Sequence, residues 1–147
     1  MYMKEMHGDV WDFNVDSDIV FSTSLDGVFE GFAAQVVERY PQIKDEIMKA
    51  SLGDVVLIRD EDNHRKVLAM ITSETNSRLK KNYENVQKAL DNLKEIYEAG
   101  IIDSVISPTI GAGSHVLDWK RVRKMISKTF QGANIKWIIC HYKPESK

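Results

Sequence analysis

The 147-residue chain has 20 Lys and Arg against 22 Asp and Glu, a formal charge of −2, and is 43% hydrophobic and 29% charged. This is the balance of one ordinary globular domain spanning 1–147, and it excludes a disordered chain and one that grips nucleic acid through overall positive charge. No apolar run nears the roughly 20 residues of a membrane helix, the first residues lack a secretory signal, and the single Cys140 cannot close an internal disulfide, so a cytoplasmic or otherwise intracellular protein with no membrane partner is expected.

Short β-rich runs alternate with amphipathic helical stretches, the pattern of an α/β domain with helices on both faces of a sheet. Ile19 to Thr23 predicts a buried strand, followed by a turn at Asp26-Gly27. From Gly31, the spacing of Phe32, Val36, Val37 and Tyr40 predicts a helix that Pro41 stops. Ile43, Ile47 and Ala50 predict a second short helix before Gly53. Val55 to Arg59 and Lys66 to Ile71 form a hairpin pattern around Asp60-Glu61-Asp62-Asn63. Tyr83 to Ala99 is the strongest helix, with Asn82 as N-cap and Gly100 as stop. Ser104 to Ser107 reads as a strand closed by Pro108, and Asp118 caps a helix carrying Trp119, Val122, Ile126 and Phe130. Asn134 to His141 supplies the last strand.

Two loops carry the chemistry. Thr109-Ile110-Gly111-Ala112-Gly113-Ser114-His115 lies between a strand and a helix, where small residues let backbone N–H groups approach an anion and the helix N-terminus adds partial positive charge. A glycine pair alone also fits a plain turn. The loop from Ser24 through Gly27 to Gly31 holds the equivalent place after the strand Ile19 to Thr23. Two such loops at carboxyl ends of strands make the crevice in which open α/β sheets bind ligands. No P-loop and no complete G-x-G-x-x-G motif is present. The basic groups Arg78, Lys80, Lys81 and Lys120, Arg121, Arg123, Lys124 read as solvated surface, which disfavours nucleic acid as a partner. His7 and His64 stand apart from any metal-ligand pattern, so neither a metal nor a cofactor is expected.

Gly8-Asp9-Val10, Phe32-Ala33, Arg39-Tyr40-Pro41, Ile71-Thr72, the run Asn82 to Lys88, Pro108 to Gly113 and Leu117-Asp118-Trp119 together resemble the macro domains, which bind ADP-ribose and in some branches hydrolyse its derivatives. The likeness is to the branch that removes terminal ADP-ribose from proteins and to the ADP-ribose 1″-phosphate phosphatases. It implies a three-layer α/β/α fold with a central mixed sheet of about six strands. It also implies that Asp9, beside Val10, accepts a hydrogen bond from the adenine amino group and that Tyr142 packs or stacks at the same end.

One departure concerns mechanism. In the glycohydrolase branch a lysine after the Ile-Thr pair attacks the sugar and an aspartate in the second loop assists; here those places hold Ser73 and His115. A serine cannot form the amine adduct, so lysine-based hydrolysis does not carry over. His115 and Asp26 are the candidate acids or bases. The expected function is an ADP-ribose-binding module that holds ADP-ribose or a related NAD-derived nucleotide, free or on an ADP-ribosylated protein. The alternatives are a hydrolase of an ADP-ribose derivative using His115 or Asp26, and a degenerate macro fold serving protein or RNA interaction.

Overall fold

The computed structural model describes residues 1–13, 16–61, 64–74, 83–111 and 117–142. The sheet is built outward from β2 (Asp18–Ser24) and β4 (Arg65–Ser73), which pair in parallel. Successive side chains of a strand point to opposite faces. Accordingly Ile19, Phe21, Val67, Ala69 and Ile71 enter one apolar cluster, while Val20, Leu68 and Met70 enter the other. Helices α1 (Gly31–Arg39) and α2 (Gln42–Met48) cover the first face through Ala33, Val36, Ile43 and Ile47. Helices α3 (Tyr83–Glu98) and α4 (Trp119–Thr129) cover the second through Val86, Leu90, Leu93, Val122 and Ile126.

With β1 (Tyr2–His7), β3 (Val55–Asp60), β5 (Ser104–Pro108) and β6 (Lys136–His141), the sheet has six strands among the described residues, in the order β1-β6-β5-β2-β4-β3. All pairings are parallel except β3 with β4. This is the expected three-layer architecture with a mixed central sheet. Because five strands run the same way, their carboxyl ends share one edge, and Gly8, Leu25, Thr109 and Tyr142 all leave the sheet there.

The strand β1 has no counterpart in the hydrophobic pattern. Its sequence Tyr-Met-Lys-Glu-Met-His has no β-branched residue, and only Met3 and Met6 are half-buried. Parallel pairing with β6 makes it a strand, and its charges suit an edge that must not pair further. A 3₁₀ turn at Val10–Asp12, capped by Asp9, was likewise not expected. Element ends differ by small amounts. β4 continues past Ile71 to Ser73, because a register shift after Thr23 lets Ser73 pair with Ser24. β6 begins at Lys136 rather than Asn134, whose N–H is taken by the Tyr97 hydroxyl at 2.8 Å. Ala50 lies beyond the end of α2. The expected cap Asn82 and the turn residues Asp62 and Asn63 lie outside the described residues.

Tyr40, at the end of α1, donates to Asp60 Oδ2 at 2.7 Å and so ties α1 to the end of β3. Burial and then the Asp60 carboxylate push its phenol up to about 12, so it stays a donor at any ordinary pH. Among the described residues no helix is long and apolar enough to cross a membrane.

Candidate functional site

At the shared carboxyl edge lies a cleft of about 250 Å³ between the two glycine loops. The first loop is set by Asp26, whose Oδ1 accepts from Ser24 Oγ at 2.8 Å and from Val28 N–H at 3.0 Å. A carboxylate that closes a turn on the backbone two residues on is the ordinary use of aspartate in loops. Gly27 adopts φ +77° and packs beside Met48 rather than lining the cleft. Ser24 is the last residue of β2, nearly fully buried, and lines the cleft floor.

Helix α1 starts at Gly31, where φ is +57° and a Cβ would meet nothing within 4 Å. Its N-cap, Glu30, makes no side-chain capping bond, so the first N–H groups of the helix are left to the cleft that Glu30, Gly31, Phe32 and Ala33 line. Orphan N–H groups at a helix start, together with the helix dipole, make an anion-binding position.

The second loop begins at Pro108 and Thr109, both in the cleft wall. Gly111 has φ +72°, and its N–H donates to Ser22 Oγ at 3.0 Å, which pins the loop to the floor of β2. A Cβ on Gly111 would lie 2.7 Å from Leu117 Cδ1, a side-chain end that can shift, so it is the left-handed backbone that calls for glycine here. Ile110, expected to touch ligand, is fully buried in the α3/α4 cluster and is not part of the cleft wall; it anchors the loop instead. Ala112, Gly113, Ser114 and His115 lie outside the described residues.

Where the chain is described again, Asp118 and Trp119 make hydrogen bonds within α4 and to α3 and β1. Asp118 caps α4 through Lys120 N–H at 3.0 Å, and its own N–H donates to the Tyr83 hydroxyl of α3 at 3.0 Å. Trp119 Nε1 donates to Glu5 Oε1 of β1 at 2.9 Å. The same carboxylate meets His141 Nε2 at 2.8 Å and Arg123 Nε at 2.9 Å. The Trp119 bond first, with the His141 bond and the Arg123 charge behind it, holds the Glu5 carboxyl below its usual range against the opposing effect of burial. A carboxyl whose folded pKa is depressed contributes stability above its unfolded value of 4.5, and that contribution is lost as pH falls through the lower, folded value. Glu5→Gln is therefore expected to flatten the acid limb of the stability profile below pH 4.5, read from denaturant melts at stepped pH. Parallel acid limbs in the two proteins would refute it.

The opposite end of the cleft is formed by Gly8, Asp9 and Val10 after β1, by Cys140 and Tyr142 at the end of β6, and by Phe32 and Gln35 of α1. Asp9 Oδ1 accepts from Trp11 N–H at 3.1 Å, leaving its second oxygen with no bond to any described residue. Tyr142 is 59% exposed, an aromatic face at the cleft mouth. Burial, then the nearby Asp9 carboxylate, pushes the Cys140 thiol up to about 11, so it is a protonated wall residue rather than a nucleophile. Ser73, where the resembling branch has its lysine, is absent from the cleft wall, and its buried Oγ has no hydrogen-bond partner. Among the described residues no three His, Cys, Asp or Glu side chains form a group able to hold a metal.

Asp9, Val10, Ser24, Gly31, Thr109, Gly111 and Tyr142 thus come together in one cleft, whereas Gly27 and Ile110 support it from outside and Asp26 organises its rim. Sequence reasoning missed Ser22, Phe32, Gln35 and Cys140 as cleft residues. Ser22 carried a usable signal, a polar residue inside a β-branched run; Cys140 carried none, since a wall residue under an apolar cleft has the pattern of core.

No family model matches this chain. The human ADP-ribose glycohydrolase OARD1 is 31% identical over 84 residues, which are 57% of this chain and 53% of that protein, so the match spans about half of the curated relative. The macrodomain of Mycobacterium tuberculosis DarG superposes with a TM-score of 0.78 at 22% identity, covering 97% of this chain and 98% of that one. Thermosipho africanus DarTG, solved in complex with ADP-ribose, gives 0.80 at 19% identity over 99% of this chain and 43% of its own. The strand order, the two loops at one sheet edge and the cleft between them belong to a chain with the macrodomain fold.

Proposed function

We propose that the cleft holds ADP-ribose, or a nucleotide that contains it, and that capture is the domain's task. The observation that carries this is the polarity of one cleft. The uncapped N-terminus of α1, with the positive-φ Gly31 at its start, offers N–H groups to a diphosphate in the middle. Asp9, Phe32 and Tyr142 offer an acceptor and aromatic surface to a nucleobase at one end. A structural neighbour solved with ADP-ribose and a sequence relative that is an ADP-ribose glycohydrolase support the same ligand class. A terminal ADP-ribose on a modified protein presents the same groups and is a fitting partner.

The chemistry of the branch does not follow with the ligand. Ser73 stands where that branch has its lysine, and its hydroxyl is buried and outside the cleft wall, so this position cannot form a covalent amine adduct. Calorimetric titration with ADP-ribose, followed by incubation with its 1″-phosphate and with an ADP-ribosylated protein, tests both halves. Saturable binding without product is the expected result. No heat at millimolar ADP-ribose would sink the ligand, and released ADP-ribose would sink the restriction to capture.

A further inference from the structure

Trp11 sits just past Asp9 and arranges two polar groups of the cleft at once. Its backbone N–H donates to Asp9 Oδ1 at 3.1 Å, and its indole Nε1–H donates to Gln35 Oε1 at 2.6 Å. The indole itself is clamped: it stacks on Phe32 with ring centroids 5.1 Å apart and 17° between planes, and the Arg39 guanidinium lies 3.9 Å from its centroid on a ring face.

This clamp settles the orientation of the Gln35 carboxamide. An indole N–H can only donate, so the atom facing it is the amide oxygen and the amide nitrogen occupies the other corner. That nitrogen carries two N–H donors, makes no hydrogen bond to any described residue, and belongs to a side chain in the cleft wall. Asp9 has one oxygen spent on Trp11 and one left over. The cleft wall that Phe32 and Tyr142 also line thus holds a carboxylate acceptor and an amide donor. The diphosphate is repelled from this end by the Asp9 charge, which leaves it to the base.

We infer that Gln35 is a base-selecting residue: its amide N–H donates to a ring nitrogen flanking the exocyclic amino group that Asp9 accepts, and Trp11 is the positioning residue that fixes the amide for this. An amino group beside a bare ring nitrogen is the edge that a carboxylate and an amide donor match, and adenine carries that pair on both sides of its amino group, at N1 and at N7. This inference rests on the ADP-ribose reading above.

The test is a cycle between protein donor and ligand acceptor, with ADP-ribose and its 1-deaza and 7-deaza analogues titrated into the wild type, Gln35→Glu, Gln35→Met and Trp11→Phe. The glutamate variant keeps the acceptor for Trp11 and loses the donor; the methionine variant keeps the helix and the volume without a second carboxylate beside Asp9. In the wild type one analogue is expected to bind about tenfold more weakly than ADP-ribose, about 1.4 kcal/mol. In both Gln35 variants ADP-ribose itself weakens and the penalty for that analogue disappears. Trp11→Phe, which keeps a ring on Phe32 but has no N–H, shrinks the penalty because the amide is free to turn. Both analogues binding the wild type as ADP-ribose does, or a penalty unchanged in the Gln35 variants, would overturn the inference while leaving the ligand standing. A wild type that binds no ADP-ribose overturns both.

Discussion

Asp9→Asn is expected to weaken ADP-ribose binding by roughly 10- to 150-fold while leaving the fold unchanged, because a hydrogen bond to a charged group contributes about 1.5–3 kcal/mol and each 1.4 kcal/mol is tenfold. The substitution is chosen for what it preserves. Asp9 Oδ1 caps the 3₁₀ turn by accepting from Trp11 N–H, and an asparagine oxygen does the same. The other oxygen becomes an amide nitrogen, so a donor then faces the donor of the adenine amino group. Affinity falls through the loss of an acceptor and through the clash of like partners. Asp9→Ala loses the cap as well and is expected to lower stability in addition. Calorimetry with ADP-ribose on both variants, beside melting curves, separates the two effects; wild-type affinity in Asp9→Asn would place the base elsewhere. Asp9 and Gln35 address neighbouring groups on one edge of the base, so their losses are not expected to add when the two substitutions are combined.

Legibility in the sequence followed the physical pattern of each element. Central strands such as β4, buried on both faces, read as unbroken apolar runs, and α3 read clearly because Val86, Leu90 and Leu93 keep helical period against the sheet. The edge strand β1 did not, since what makes it a strand is a parallel ladder to β6, more than a hundred residues away in the chain. The loops were located by their glycines, yet glycine says only that the backbone turns. Gly27 turns away from the cleft beside Met48, and Gly111 turns within it because Ser22 takes its N–H. Ile110 looked like a loop residue by position and is core by packing, which no local pattern separates. Gln35 stood unnoticed on the helix of Phe32 and Val36. Its role depends on an indole twenty-four residues earlier, and such pairings exist only once the chain is folded.

The largest effect on stability is expected at Trp137. Its side chain is fully buried on the α3/α4 face of β6, its indole N–H donates to Ser107 Oγ of β5 at 2.8 Å, and the Phe130 ring meets it edge-on at 5.8 Å. Trp137→Ala empties the largest fully buried side-chain volume in the core, for which a loss of about 3–5 kcal/mol is typical, out of a total of about 5–15 kcal/mol for a domain. Denaturant melts should show the midpoint moving far down at nearly constant slope, the sign of lost stability rather than of a changed unfolded state. Trp137→Phe fills most of the volume but strands the Ser107 hydroxyl, itself fully buried, so it is expected to cost about 1–3 kcal/mol. The order of the two variants is the discriminating result. If both cost the same, the hydrogen bond and not the packing dominates. The consequence reaches the cleft, because β5 and β6 carry Thr109 and Tyr142 at their carboxyl ends and the Trp137–Ser107 bond joins side chains of these two strands within the core. Trp137→Phe, which remains folded, is therefore expected to bind ADP-ribose somewhat less tightly through a wall that has shifted, while a protein in which Trp137 is only a filler would lose stability and keep its affinity.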